Sequence, residues 1–356
     1  MVPFRFISGW LLALLLLSGM AGCKNSSQVP STKEYTHLEG QTMGTYYKVS
    51  FADSLARNWQ PVIDSLLLAI NLEVSTYIDS SVISRFNQAT HSINLSGNER
   101  HFITNFIRSR EIFLLSKGAF DPTIMPLVNY WGFGYTPKKP IEEVDSTEVA
   151  NRLKLVGMQT INGLEVPDSY TLTKPNPEIE LDFSAIAKGY AVDKVGEMLY
   201  AAGMKNILVD IGGEARGWGK SQRDDIWRLG INLPEEEASL TAVYTALSLD
   251  NRGLATSGNY RNLYEVDGVK YSHTINPWTG FPERNPLLSV SILAPDCMTA
   301  DALATSCMVL GLEKAKEFIS AIPEVHALFI FSGSKGEMQT WTSPGMATFV
   351  IPASTE

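Results

Sequence analysis

Apolar residues recur along this chain at two spacings, and each spacing predicts its own elements. Helical spacing, with apolar positions three and four apart, covers three early stretches. From Ser54 to Leu72 the stripe builds through Leu66 and Ile70 towards Val74. From Glu99 to Ser116 it runs through Phe102, Phe106, Phe113 and Leu114, with Gly118 as the stop. Asp145 and Ser146 open a third helix that ends near Leu155 or Gly157. Two later helices are expected over Ser184 to Ala202, ending at Gly203, and over Thr299 to Leu310. Alternating or continuous apolar runs predict strands at Tyr46 to Phe51, Asn206 to Ile211, Trp227 to Asn232, Ala242 to Asp250, Val269 to Ile275, Leu288 to Leu293, Ala327 to Ser332 and Met338 to Trp341. Asp267 and Gly268 supply turn chemistry before one of these strands. Helices and strands interleave without the strict βαβ alternation of a doubly wound sheet, so the pattern predicts an α+β fold. The chain is long enough for one large domain or two lobes.

The first residues follow a different pattern and are set aside before fold reasoning. Arg5 precedes an apolar run from Ile7 to Leu17 that is too short to span a bilayer comfortably. Met20, Ala21 and Gly22 then lead to Cys23, the arrangement of a lipoprotein signal-peptidase site, with methionine where leucine is usual. Residues 1–22 are therefore expected to be a signal peptide and Cys23 a lipidation site. The alternative is a plain secretory signal cut near Ala21 or Gly22. Two or more acyl chains on Cys23 would anchor stably, since each buried methylene contributes ~0.8 kcal/mol. The polar residues that follow, with Ser26, Ser27, Ser31 and Thr32, read as a flexible tether over residues 23–36, and the folded domain is expected over 37–352.

A formal net charge of −9 at pH 7 argues against a nucleic-acid partner and requires that any phosphate site be neutralised locally. The chain has 3 cysteines, which leaves Cys297 and Cys307 after Cys23. Ten positions apart across a helix start is poor disulfide geometry, so two separate buried thiols are expected. No zinc spacing is present.

Candidate chemistry concentrates in a few runs. Leu181–Asp193 (LDFSAIAKGYAVD) places Asp182 before a helix, Ser184 as a plausible N-cap, and Lys188 and Gly189 in the first turns. Helix-start amides and a lysine suit an anion such as a phosphate; a plain amphipathic helix with a surface lysine is the alternative. Asp301 and Thr305 lie four apart and share a helix face. A carboxylate and a hydroxyl form an oxygen-only set that suits Mg²⁺, unless Asp301 merely caps the helix and Thr305 packs inward.

Other segments set these runs in a larger order. They are Gly118–Thr123 (GAFDPT), Pro126 and Leu127, Trp131–Gly134, Val209–Glu214 (VDIGGE), Thr256–Tyr260 (TSGNY), Ser272–Gly280 (SHTINPWTG) and Thr299–Thr305 (TADALAT). In this order and spacing they resemble the ApbE family, flavin transferases that use FAD to attach FMN covalently to protein. The resemblance covers about residues 38 to 350. It implies an ApbE-type, T-fold-like arrangement of mixed sheets with packed helices in a single large two-lobed domain.

The resemblance also implies roles. Mg²⁺ would be held by Asp301, Thr305 and a backbone carbonyl at Ala185. FAD would be bound by Met43, Tyr77, Ala119, Phe120, Asp121, Asp182, Lys188, His273 and Thr274, with Met43 and Tyr77 as apolar walls for a ring and Lys188 offsetting pyrophosphate charge. Asp182 could instead be a helix-start carboxylate, and the Ala119–Asp121 segment a turn closed by Pro122. His273 would act beside Asp301 in catalysis, orienting or deprotonating the acceptor or contacting the cofactor. The matching motif usually has Asp where this chain has Asn276, which removes a negative charge near the site. Gly212 and Gly213 are expected to serve close packing, and Glu214 could reach the site.

The activity so implied is Mg²⁺-dependent transfer of FMN from FAD to a threonine of an exported or membrane flavoprotein, with release of AMP. The acceptor would be a subunit of a membrane redox complex, met from a lipid anchor on the periplasmic side. Two alternatives use the same residues: an FAD pyrophosphatase that gives FMN and AMP, and a flavin-binding lipoprotein without turnover.

Overall fold

The computed structural model describes residues 34–53, 57–136, 144–166, 169–235, 242–259, 263–266 and 269–351. The signal peptide, Cys23 and the Asp267–Gly268 turn lie outside the described residues.

Eight strands form the main sheet: β1 (Tyr35–Thr42), β2 (Thr45–Ala52), β3 (Ile207–Ile211), β4 (Glu214–Trp218), β5 (Gly253–Gly258), β6 (Leu287–Ala294), β7 (His326–Ser332) and β8 (Met338–Thr342). Their order across the sheet is their order in the chain, and every neighbouring pair is antiparallel. β1 starts at Tyr35, so the last residues expected of the tether are already paired with β2. Met43 and Gly44 make the β1–β2 turn with φ of 49° and 72°, as a twisted two-residue hairpin turn requires.

What distinguishes the fold is what lies between consecutive strands. The β2–β3 connection carries six helices, α1 (Gln60–Val74), α2 (Val82–Gln88), α3 (Arg100–Leu115), α4 (Met125–Tyr130), α5 (Ser146–Leu153) and α6 (Ala187–Ala201), and a small three-stranded sheet. The β4–β5 connection carries strands 228–232 and 243–248, and the β5–β6 connection carries the hairpin of 263–266 with 269–272. The β6–β7 connection carries α7 (Cys297–Leu310) and α8 (Leu312–Ser320).

Alternation along the strands divides the core between the two faces of the sheet. Ala255, Ile292, Ala294, Ala327 and Phe329 join the large core with α6 and α7, while Leu254, Leu293, Leu328 and Ile330 join a smaller one with Trp227, Ile231 and Leu247. A third, smaller cluster joins Leu127, Trp131, Val149 and Ile275, and all three lie in one compact unit, so the described residues form a single domain. A helix apolar on all sides must be central, and α7 buries 12 of its 14 residues.

Boundaries moved where local side chains decided them. α1 begins at Gln60 with proline in its first turn, after the expected Ser54 start. α7 begins at Cys297, because Asp296 caps it by accepting from the Thr299 amide at 2.7 Å. α6 begins at Ala187 rather than at Ser184, and no side chain caps it. Ser184 is instead held by Asp182, whose Oδ1 accepts from the Ser184 amide at 2.8 Å and from its hydroxyl. Cys297 and Cys307 are both free and buried, as their spacing predicted.

Candidate active site

A cavity of about 780 Å³ is walled by the loops that cross the strand ends and by one face of α7. Thr76 and Tyr77 after α1, the 119–125 segment, the 182–188 segment, Gly212 and Glu214 between β3 and β4, Thr256 to Gly258 of β5, the 273–277 loop, and Asp301, Thr305 and Val309 of α7 all line it. Of the described site residues expected from the sequence, all except Met43 line this cavity. That residue packs partly buried against the main core at its hairpin turn. Its turn still borders the site: Gly212, which lines the cavity, packs so closely on Thr45 that a Cβ there would meet the Thr45 methyl at 2.7 Å.

The centre of the site is a lysine between two acids. Lys188 Nζ lies 2.8 Å from Glu214 Oε1 and 3.8 Å from Asp301 Oδ1. Burial works to lower the Lys188 pKa, but the Asp301 and Glu214 carboxylates outweigh it and hold the ammonium above the usual lysine range. Burial pushes both carboxylates up, with Lys188 opposing it. Asp301 Oδ2 also accepts from the Gly189 amide at 3.0 Å. Gly189 lies in the first turn of α6, where amides have no partner within the helix, so Asp301 satisfies one of them. Ala185 stands just before the helix, on the cavity wall. Thr305 lies one turn beyond Asp301, its Oγ1 3.4 Å from Ser257 Oγ.

One lysine and two carboxylates sum to a net negative charge. An anionic substrate would be repelled by that sum unless a cation joined it. Glu214 Oε2 is moreover buried with no hydrogen-bond partner among the described residues, which is costly unless a cation or proton completes it. Among the described residues no group of three His, Cys, Asp or Glu forms a metal-binding cluster. The oxygen set available is mixed instead: the Asp301 carboxylate, the Thr305 hydroxyl and the Ala185 carbonyl. Such a set, completed by water and phosphate oxygens, fits Mg²⁺.

Two of the acids expected to bind are also structural. Asp121 Oδ1 accepts from the Thr123 amide at 2.9 Å and hydroxyl at 2.6 Å, and its Oδ2 from the Met158 amide at 3.2 Å. Burial nevertheless raises its pKa. Asp182 holds the turn that presents Ala185 and Lys188, and its own amide bonds Pro122 O at 2.7 Å, so the two expected binding segments are tied together. Each residue shapes the cavity wall it belongs to.

His273 and Thr274 enter on the loop after the 269–272 strand. The His273 ring meets Phe133 edge-on at 6.3 Å, and Thr274 Oγ1 donates to Asn259 Oδ1 at 3.1 Å. Asn276 explains its departure from the usual aspartate. Its Oδ1 accepts from the Trp278 and Thr279 amides at 2.7 and 3.1 Å, which an aspartate would do as well, while its Nδ2 donates to the Glu283 carboxylate, which an aspartate could not do.

Sequence reasoning passed over the Gly189 amide and Ser257. Gly189 stood beside Lys188 in the quoted run, but nothing in a sequence shows which distant group its first-turn amide meets. Ser257 lay in a quoted segment without a role.

Comparison with known proteins agrees with this geometry. The sequence profile of the ApbE family matches residues 43–329. The FAD:protein FMN transferase of Vibrio cholerae is 39% identical over 315 residues, 86% of this chain and 88% of that protein. The FAD:protein FMN transferase of Haemophilus influenzae is 36% identical over 321 residues, 88% and 89% of the two chains. Among solved structures, the flavin transferase ApbE from Vibrio cholerae superposes with a TM-score of 0.79 at 35% identity, covering 89% of this chain and 99% of that one. The flavinyl transferase ApbE of Pseudomonas stutzeri gives 0.76 at 30% identity, with 89% and 96% covered. On sequence and fold together, this chain belongs to the ApbE family and is an enzyme.

Proposed function

We propose that the chain is an FAD:protein FMN transferase. The observation that carries this reading is Lys188 placed between Glu214 and Asp301, with Thr305 one turn on, in a cavity large enough for most of a dinucleotide. The names of its relatives point the same way. In the reaction, the hydroxyl oxygen of an acceptor threonine forms a bond to the FMN-side phosphorus of FAD. The bond from that phosphorus to the bridging oxygen breaks, and AMP leaves with the electron pair. Transfer of this kind needs positioning and charge neutralisation more than covalent help.

The protein's own groups divide these tasks. Lys188 offsets diphosphate charge. Asp301, Thr305 and the Ala185 carbonyl would hold Mg²⁺, which when bound supplies Lewis-acid neutralisation of the diphosphate oxygens. Tyr77 and Phe120 offer ring faces to the flavin or adenine. His273 orients the acceptor hydroxyl or takes its proton at a ring nitrogen. The Asp182 turn fixes where Ala185 and Lys188 stand.

The acceptor is an exported or membrane flavoprotein with a threonine target, such as a redox-complex subunit. The chain meets it from a lipid anchor on Cys23 at the periplasmic face. The basis is the N-terminal sequence pattern; labelling with a radioactive fatty acid, lost on Cys23→Ser, tests it.

The decisive test of activity is incubation of the purified chain with FAD and Mg²⁺, with and without a threonine-bearing acceptor domain, followed by intact mass and in-gel flavin fluorescence. An acceptor that gains the mass of FMN, and fails to gain it with Asp301→Ala, supports the transferase. Free FMN and AMP with an unmodified acceptor would replace it with an FAD pyrophosphatase.

A further inference from the structure

Asp193 of α6 is a buried carboxylate, 4% exposed, that neither the cavity nor its chemistry uses. Its partners lie at the start of another helix. Oδ1 accepts from the Cys297 amide at 3.0 Å and Oδ2 from the Met298 amide at 2.9 Å, the first two residues of α7. Arg216 of β4 donates to Oδ1 at 2.7 Å from the opposite side. Together with the Asp296 cap on Thr299, all three amides of the first turn of α7 end on carboxylates. Carboxylates are favoured there by the helix dipole as well as by the hydrogen bonds.

One turn back on α6, the exchange runs the other way. The Gly189 amide donates to Asp301, one turn along α7. The helices are therefore pinned at two levels in opposite chain order, Gly189 with Asp301 and Asp193 with Cys297 and Met298. They also touch closely, since a Cβ on Gly189 would run into the Cys297 carbonyl; one on Gly196 would run into the Trp218 ring of β4. Over that ring sits the Arg216 guanidinium, 4.7 Å from its centroid. The face of α6 at 189, 193 and 196 thus carries small residues and one carboxylate.

We propose that Asp193, braced by Arg216, is a positioning residue that sets the register of α7 on α6, and so the placement of Asp301 and Thr305 against Lys188 and the Ala185 carbonyl. The diphosphate and cation ligands come from two helices, and no covalent link joins them near the site. Packing alone allows small sliding between helices; two charge-assisted bonds to backbone amides allow much less. The inference rests on the transferase reading for what the site binds, but not for the mechanics of the two helices.

The test compares wild type with Asp193→Asn, Arg216→Met and Arg216→Lys on two readouts: Mg²⁺ titration of FMN transfer, and hydrogen exchange of the 187–190 and 297–301 amides with and without Mg²⁺ and FAD. Asp193→Asn should raise the half-saturating Mg²⁺ concentration at least about tenfold and speed exchange in both segments. Arg216→Met should shift both readouts in the same direction, and Arg216→Lys should stay near wild type. Wild-type Mg²⁺ dependence and exchange in Asp193→Asn would overturn the proposal. So would a variant with a lower denaturation midpoint but unchanged Mg²⁺ dependence, since that is a purely structural role. If Asp193→Asn does not fold, Arg216→Met decides by the same criteria. If wild type modifies no acceptor, the transferase reading falls, and Mg²⁺-induced protection of the α7 amides still judges Asp193.

Discussion

Asp301 accepts, at 3.0 Å, the amide hydrogen of Gly189, a first-turn amide of α6 that has no partner within its own helix. One hydrogen bond thereby orients the carboxylate and satisfies that amide. Asp301→Ala should abolish FMN transfer, by at least about a hundredfold, because charge and orientation go together. Asp301→Asn keeps an acceptor for the amide and loses the charge. It should retain the wild-type denaturation midpoint more closely than alanine yet lose comparable activity, as acceptor mass and urea titration would show.

Gly189→Ala tests the closeness of the two helices. The added methyl meets the Cys297 backbone rather than the end of a flexible side chain, so a helix must move. Overpacking of this kind costs about 1–3 kcal/mol. Activity should fall further than stability does, since the displacement falls on the residue next to Lys188. A variant with wild-type transfer would show that this register is not needed.

Lys174 carries a pH prediction remote from the site. It is 3% exposed, and its ammonium donates to the Asn87, Pro177 and Ile179 carbonyls at 2.9, 2.8 and 2.8 Å. Burial lowers its pKa to about 8, with Glu180 opposing the shift. Below pH 8 both folded and unfolded chains hold the proton, and the folded state bears the full cost of the buried charge. Between pH 8 and the ordinary value near 10.5 the unfolded chain binds more protons, so stability from this group rises with pH. The gain is about 3 kcal/mol at most. From pH 7 to 10.5 the wild-type denaturation midpoint should rise relative to that of Lys174→Met; parallel curves would rule the effect out.

Asn276 and Glu283 should be coupled. Asn276→Asp sets two carboxylates together where an amide now donates to one, and should cost about 1–2 kcal/mol. Glu283→Gln should recover most of that loss in the double variant. Additive effects in the double-mutant cycle would mean that the two side chains do not share the bond.

Legibility in the sequence varied with the kind of signal. The α3 stripe was legible at Phe102 and Phe106, but its later turns bury Ser109 and Ile112, while Leu114, expected on the same face, is exposed. β4 and β5 were missed: Glu214–Trp218 and Gly253–Gly258 are short, rich in glycine and hydroxyls or interrupted by charge, and become strands only through their neighbours. Ser184 satisfied the rules for an N-cap, but Asp182 two residues earlier competed for it and won, so α6 starts later. The site residues were legible as a set through ordered motifs. Their roles were less so: Asp121 and Asp182 spend carboxylate oxygens on backbone amides that no spacing reveals.

By itself the sequence determined the apolar periodicities, the acidic balance, the ordered segments and the residue types available to bind a diphosphate. These are properties of neighbours in the chain, and near neighbours meet whatever the fold. Tertiary structure decided which distant groups became one site. Lys188, Glu214 and Asp301 come from three elements joined by long connections, and they converge because two buried helices pack on one face of an antiparallel sheet. The bond from the Gly189 amide to Asp301 and the hold of Asp193 on α7 depend on contacts across about a hundred residues of sequence. Such contacts form only when burial of the whole core offsets the entropy of bringing those segments together.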